Sequence, residues 1–186
     1  MAIPKRIILI GMKSSGKTTA GRLLARKLGI RFIDMDAEIE RLHAEKTGER
    51  LPFREIFKKR GGEYFRAAET EALRSLAGGM GDASFVLSTG CGLPLAEENR
   101  RLLRGMGTVV FLDVRDDVLL ERIVSRGIPA FFPYPDDPRR SLEEILAARR
   151  PVYSGLAAIR VECGAEPPDV NAEKVLRQLE ASEDEN

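Results

Sequence analysis

The sequence predicts a three-layer α/β/α domain around a five-stranded parallel sheet, with a lid and a substrate-binding insertion on its ligand side. Two observations lead there. Five short apolar runs ("RIILI", "IRFID", "SFVLS", "TVVFLDV" and "AAIRVEC") alternate with helical patterns along the chain. Hairpin signals between them are few, so successive strands are joined through helices, lie parallel and are covered on both faces. A length of 186 residues suits one domain with a sizeable core.

The elements follow in order. "RIILI" stops at Gly11, and a helix runs from about Gly16 to Leu28, where Gly29 ends it as a C-cap. "IRFID" is the second strand. Charged helical pieces near Asp36–Glu45 and Phe53–Lys59 precede a longer helix, roughly Gly62–Ala77, with Phe65, Ala68, Ala72, Leu73 and Leu76 at helical spacing. "SFVLS", a helix at Pro94–Leu103, "TVVFLDV" and a helix at Asp116–Ser125 come next. The stretch "GIPAFFPYPDDPRR" breaks the pattern on the ligand side of the sheet and reads as a lid, about 125–140. A helix at Ser141–Arg149, the last strand and a helix at Val170–Glu180 complete a single domain over 1–180. The substrate-binding insertion covers about 36–62, and the acidic tail 181–186 is expected to be disordered.

Bulk properties exclude several classes. Thirty basic and 29 acidic residues give a net charge of +1, which argues against a general nucleic-acid or membrane-surface binder. Cys91 and Cys163 make no disulfide framework, so a cytoplasmic protein is expected. The start "MAIPKRIILIG" is too brief an apolar run for a secretory signal or a membrane span. The only histidine, His43 in "AEIERLHAEK", reads as a solvated surface residue, which leaves no histidine metal site or Ser-His-Asp triad. No coiled coil or apolar interaction face is evident, so a monomer is expected.

"GMKSSGKT", Gly11–Thr18, fits the phosphate-binding pattern G-x-x-x-x-G-K-[ST], between an apolar strand and a helix. Gly11 and Gly16 let the backbone curl so that the N–H groups around Ser14, Ser15 and Thr19 face a phosphate at the helix N-terminus. Lys17 supplies an ammonium for the β- and γ-oxygens, and the Thr18 hydroxyl can ligate Mg²⁺. ATP and Mg²⁺ are therefore the expected cofactors. No Asn-Lys-x-Asp guanine motif occurs, and the length with a lid favours a small-molecule or nucleotide kinase. Asp113 ends an apolar strand as a metal-binding carboxylate would, but the sequence does not clearly put that strand beside the phosphate-loop strand. Asp34, closing "RFID", is the better magnesium candidate. Asp36 shares its face and can meet a substrate hydroxyl, or simply cap the following helix.

"FIDMDAEIE", "FREIFKKRGGEYFRAAETEAL" and "LSTGCGLPLAEENRRLL" together resemble the shikimate kinase family, from about Arg6 to Leu179. The resemblance implies a P-loop fold of nucleoside monophosphate kinase type. It also implies transfer of phosphate from ATP to the 3-hydroxyl of shikimate, in aromatic amino-acid biosynthesis. By the same resemblance Arg66 and Arg149 anchor the substrate carboxylate, Arg149 being chosen over Arg150 because it stands two before Pro151. Asp36 contacts the reacting hydroxyl, and the backbone of Gly90, Cys91 and Gly92 approaches the substrate. Arg122 flanks adenine, with Pro167 or Pro168 opposite. Planar guanidinium forks suit a carboxylate. Two departures stand out. Cys91 occupies the middle of a loop that is Gly-Gly-Gly in the family. Ile128 precedes Pro129 where the family has a lid arginine, a part assigned here to Arg126, with Arg139 and Arg140 as alternatives. These departures keep open a kinase for another hydroxy acid such as gluconate, or a nucleotide-binding regulatory protein.

Overall fold

The computed structural model describes residues 4–184. Its strands are β1 (Arg6–Ile10), β2 (Arg31–Asp34), β3 (Phe85–Ser88), β4 (Thr108–Val114) and β5 (Ile159–Cys163). They form one sheet in the order β2-β3-β1-β4-β5, with every pairing parallel. The helices are α1 (Lys17–Leu28), α2 (Met35–Thr47), α3 (Phe53–Gly79), α4 (Glu97–Met106), α5 (Asp116–Arg126), α6 (Pro138–Leu156) and α7 (Pro168–Asp184). Among the described residues, no helix is long and apolar enough to cross a membrane.

The period-two alternation of a strand divides β1 between two cores. Ile7 and Leu9 pack with Ala20 and Leu24 of α1, Val118 and Ile123 of α5, and Val175 and Leu179 of α7. Ile8 and Ile10 pack on the opposite face with Leu73 and Leu76 of α3, Leu103 of α4 and Tyr153 of α6. With β1 central and the chain crossing from β3 to β4 over it, the carboxyl end of β1 lies where such sheets open their binding crevice.

Several expectations change. β4 lies directly beside β1, with Leu9 opposite Val110. Asp113 nevertheless has no free carboxylate, because Arg150 reaches one oxygen at 3.0 Å and Arg160 the other at 2.9 Å. His43 is not solvated but 1% exposed. It recurs with Met35 and Ile39 at four-residue spacing on the buried face of α2, and its Nδ1 lies 2.7 Å from the Tyr64 hydroxyl. α6 does not stop at Arg149. It runs through Pro151 to Leu156, where burial of Tyr153 and Leu156 compensates for the missing N–H of the proline. α4 is preceded by a separate 3₁₀ turn at Leu93–Leu95. α7 continues to Asp184 through most of the expected tail, and residues 185–186 lie outside the described residues.

The two helical pieces expected on either side of residue 60 are halves of α3, broken at Gly61 with φ 84° and ψ 170°. That conformation is essentially reserved for glycine. Gly61→Ala should therefore destabilise the protein by about 1–3 kcal/mol, read as a lower urea midpoint at unchanged slope. Gly62→Ala, where a Cβ meets only the Phe57 ring at 3.8 Å, should be neutral or slightly stabilising.

Candidate active site

At Gly11 a Cβ would lie 2.7 Å from the Leu112 carbonyl oxygen, so β1 can turn beside β4 only without a side chain. The loop that follows includes Ser14 at φ 65°, the only non-glycine residue with positive φ among those described. The Lys17 ammonium is buried and donates to the carbonyls of Gly11 at 3.0 Å and Met12 at 2.8 Å. Burial lowers its pKa from the ordinary lysine value, while Cys91, Asp36 and Asp34 oppose that shift. Thr18 and Thr19 are exposed in the first turn of α1, and Ser15 is buried beneath the loop.

The Thr18 hydroxyl lies 3.2 Å from the Ser88 hydroxyl. Parallel register sets Ser88 opposite both Leu9 and Asp34, so these groups share the carboxyl edge of the sheet. The sequence puts Ser88 at the ligand end of its strand, and strand register alone makes it the partner of Thr18. Asp34 is the N-cap of α2 and accepts the Asp36 N–H at 3.1 Å, so the capping role belongs to Asp34 and not to Asp36. No group of three or more His, Cys, Asp or Glu side chains among the described residues could enclose a metal ion. A carboxylate beside two hydroxyls still fits Mg²⁺, which commonly takes one or two protein carboxylates together with phosphate oxygens.

Asp36 stays clear of the cap and faces the loop after β3. A Cβ at Gly90 would lie 3.7 Å from its Oδ1 and 3.0 Å from Glu69 Oε1. Burial, with Asp34 adding to it and Lys17 opposing, raises the Asp36 carboxyl from 3.8 to about 6. Gly92 is needed for another reason. A Cβ there would fall 2.2 Å from Arg66 Nη1, so the guanidinium lies flat against bare backbone. Glu69 holds that guanidinium from the next turn of α3 and is itself only 2% exposed. Burial raises its pKa, with Arg66 as the opposing partner. Glu69 stands at i, i+3 from Arg66 in the stretch "EYFRAAE", a spacing that pairs opposite charges on one helix face.

Cys91 has no positive φ, so the middle of the loop accepts a side chain without backbone strain. Its Sγ accepts from Arg149 Nη1 at 3.6 Å, and its carbonyl accepts from the Tyr153 hydroxyl at 2.6 Å. Burial pushes the Tyr153 phenol above its ordinary range, so it remains a donor. Arg149 also lies over the Phe131 ring at 4.9 Å. Arg150 instead bonds Asp113 and Asp116. One loop, Gly90–Gly92, thus has Asp36 and Glu69 at its first residue, Arg149 at its second and Arg66 at its third.

The family model for shikimate kinase matches residues 13–180. A shikimate kinase of Bordetella avium is 40% identical over 177 residues, covering 95% of this chain and 80% of that one. One from Methylococcus capsulatus is 38% identical over 178 residues, with 96% and 94% covered. The chain belongs to the shikimate kinase family. The solved shikimate kinase of Acinetobacter baumannii, in complex with shikimate, superposes with a TM-score of 0.81 at 34% identity, over 97% of this chain and 95% of that one.

The outer parts of the site differ in how far the structure draws them in. The Arg122 guanidinium spans from the Ser14 carbonyl at 3.5 Å to the Gly164 carbonyl at 3.3 Å, joining the phosphate loop to the turn before α7. Pro168 opens α7 on that same side and is exposed. The lid is anchored by buried Pro129 and Phe132, and Ile128 packs against the core. Arg126 ends α5, exposed and without a hydrogen bond or ion pair among the described residues. Arg139 is exposed, and Arg140 is engaged with Glu144 and stacked on Tyr134.

The raised Asp36 carboxyl gives a signed prediction. Its folded pKa of about 6 lies above the ordinary carboxylate value of 3.8, so native protein binds this proton more tightly than unfolded chain. The stability from protonation is complete below about 3.8 and is lost as pH rises through about 6, on the order of 3 kcal/mol. Asp36→Asn should raise Tm by several degrees over the parent at pH 7.5, with the gain vanishing near pH 4, as scanning calorimetry would record. For Gly92→Ala, displacement of the Arg66 guanidinium should raise the acceptor KM about tenfold or more, with ADP affinity unchanged by titration calorimetry.

Proposed function

We propose that this chain transfers the γ-phosphoryl group of ATP to the 3-hydroxyl of shikimate, giving shikimate 3-phosphate and ADP for aromatic amino-acid biosynthesis in the cytoplasm. The observation that carries the reading is the pair of guanidinium groups, Arg66 and Arg149, at either side of a small-residue loop that also borders Asp36. Two forks aimed at one loop suit a carboxylate, and a carboxylate beside them suits the hydroxyl of the same small molecule.

Lys17 follows the β- and γ-oxygens, the loop N–H groups from Ser14 to Thr19 cradle the phosphates, and Arg122 with Pro168 brackets the adenine. Thr18 and Asp34, with Ser88 beside them, would hold Mg²⁺, which would supply neutralisation of phosphate charge. The acceptor oxygen forms a bond to the γ-phosphorus as the bond to the β–γ bridging oxygen breaks. Asp36, ionised above about pH 6, takes the hydroxyl proton. Gly90, Cys91 and Gly92 offer backbone polar groups to the acceptor, fixed by the Tyr153 hydroxyl. The protein acts as a monomer.

ADP formation from Mg²⁺-ATP with shikimate, gluconate, quinate or no acceptor tests this directly. Turnover is expected with shikimate alone. A higher rate with another acid would reassign the pocket, and equal rates with and without acceptor would make the protein an ATPase. Lys17→Ala should lower the shikimate-dependent rate by at least about a thousandfold. Unchanged turnover would remove Lys17 from the mechanism.

A further inference from the structure

We propose that Lys13, inside the phosphate loop, supplies the second protein cation on the phosphoryl group in transit, in the role expected of a lid arginine. This inference rests on the kinase reading above and adds a residue to it.

Lys13 lies between Met12, whose carbonyl holds the Lys17 ammonium, and Ser14, whose left-handed backbone turns the loop. It is half-buried, and its ammonium has no hydrogen bond or ion pair among the described residues. The titratable groups that act on its ammonium are Arg54 of α3, Cys91 of the loop after β3, Asp36 of α2 and Lys17 of α1. Lys13 therefore stands where the donor loop, the acceptor loop and the acceptor helix face one another.

An ammonium partly withdrawn from water, with Arg54 and Lys17 nearby and no anion bonded to it, is in an unfavourable place. Burial and Arg54 lower its pKa for that reason. The arrangement becomes favourable once a multiply charged phosphate enters between Lys17 and Asp36. A lysine suffices there, because a point charge on a flexible stem can follow a phosphoryl group whose oxygens move during transfer. The lid offers less. Ile128 carries no charge and packs against the core, Arg140 is engaged within its own helix, and Arg126 and Arg139 face solvent.

The test compares parent protein, Lys13→Met and Lys13→Arg in steady-state turnover of Mg²⁺-ATP with shikimate, and in calorimetric binding of ADP and of a non-hydrolysable ATP analogue. Lys13→Met should lower kcat about a hundredfold or more, with shikimate KM within about threefold. It should weaken the ATP analogue about tenfold and leave ADP binding unchanged, because the cation meets only the γ-phosphate. Lys13→Arg should restore most of both losses. A kcat within about threefold of the parent would overturn the assignment. So would a rise in shikimate KM alone, which would make Lys13 an acceptor-binding group. Absence of shikimate turnover in the parent would sink the acceptor reading instead, and the difference between ATP-analogue and ADP binding would still decide for or against Lys13.

Discussion

Ile7, Ile8, Leu9 and Ile10 expose no surface between the two helical layers, so β1 offers nothing to a ligand along its length. The first groups able to do so are those beyond its carboxyl end, where the chain must turn beside the Leu112 carbonyl. Gly11 makes that turn, and the bare loop behind it brings Lys17 back onto the carbonyls of Gly11 and Met12. The other strand-end groups are placed by their register to this strand. Ser88 ends the neighbour on one side, Asp34 pairs with Ser88, and Leu112 lies on the other side.

Around that end the protein brings together charges that would be costly to bury singly. Asp36 and Glu69 both have raised pKa values because they are withdrawn from water, and Lys17 has a lowered one for the same reason. Each stands opposite a group of the other sign: Lys17 by Asp36, Arg66 on Glu69. The residual imbalance is local rather than global, which is why a near-neutral chain can still present a cationic cleft to anionic ligands. Arg149 and Arg150 illustrate how finely this is divided. One helical step separates them, yet the first reaches the loop after β3 and the second neutralises Asp113 and Asp116.

The donor half of the site was legible because it is continuous in sequence. A strand, a glycine-bounded loop and a helix N-terminus within about a dozen residues define one geometry. The five strands were legible from their apolar runs, and the acceptor arginines from a family resemblance. What escaped required tertiary register. Ser88 reaches Thr18 only across β1, Tyr153 reaches Cys91 from 62 positions away, and Glu69, though it stands in the Arg66 stretch, meets Gly90 only in the fold. His43 was misread because charged neighbours masked its place on the Met35–Ile39 stripe. The helix through Pro151 was cut short because a rule about backbone donors is local, whereas the burial that outweighs it is not.

The break in α3 has a mechanical consequence. No unbroken helical ladder connects the half that begins at Phe53 with the half that carries Arg66 and Glu69. The outer half leaves the axis of the inner one at Gly61, yet buried Ile56 returns it to the same core that holds Leu73 and Leu76. The acceptor wall is thus braced on both sides of its joint rather than cantilevered from one.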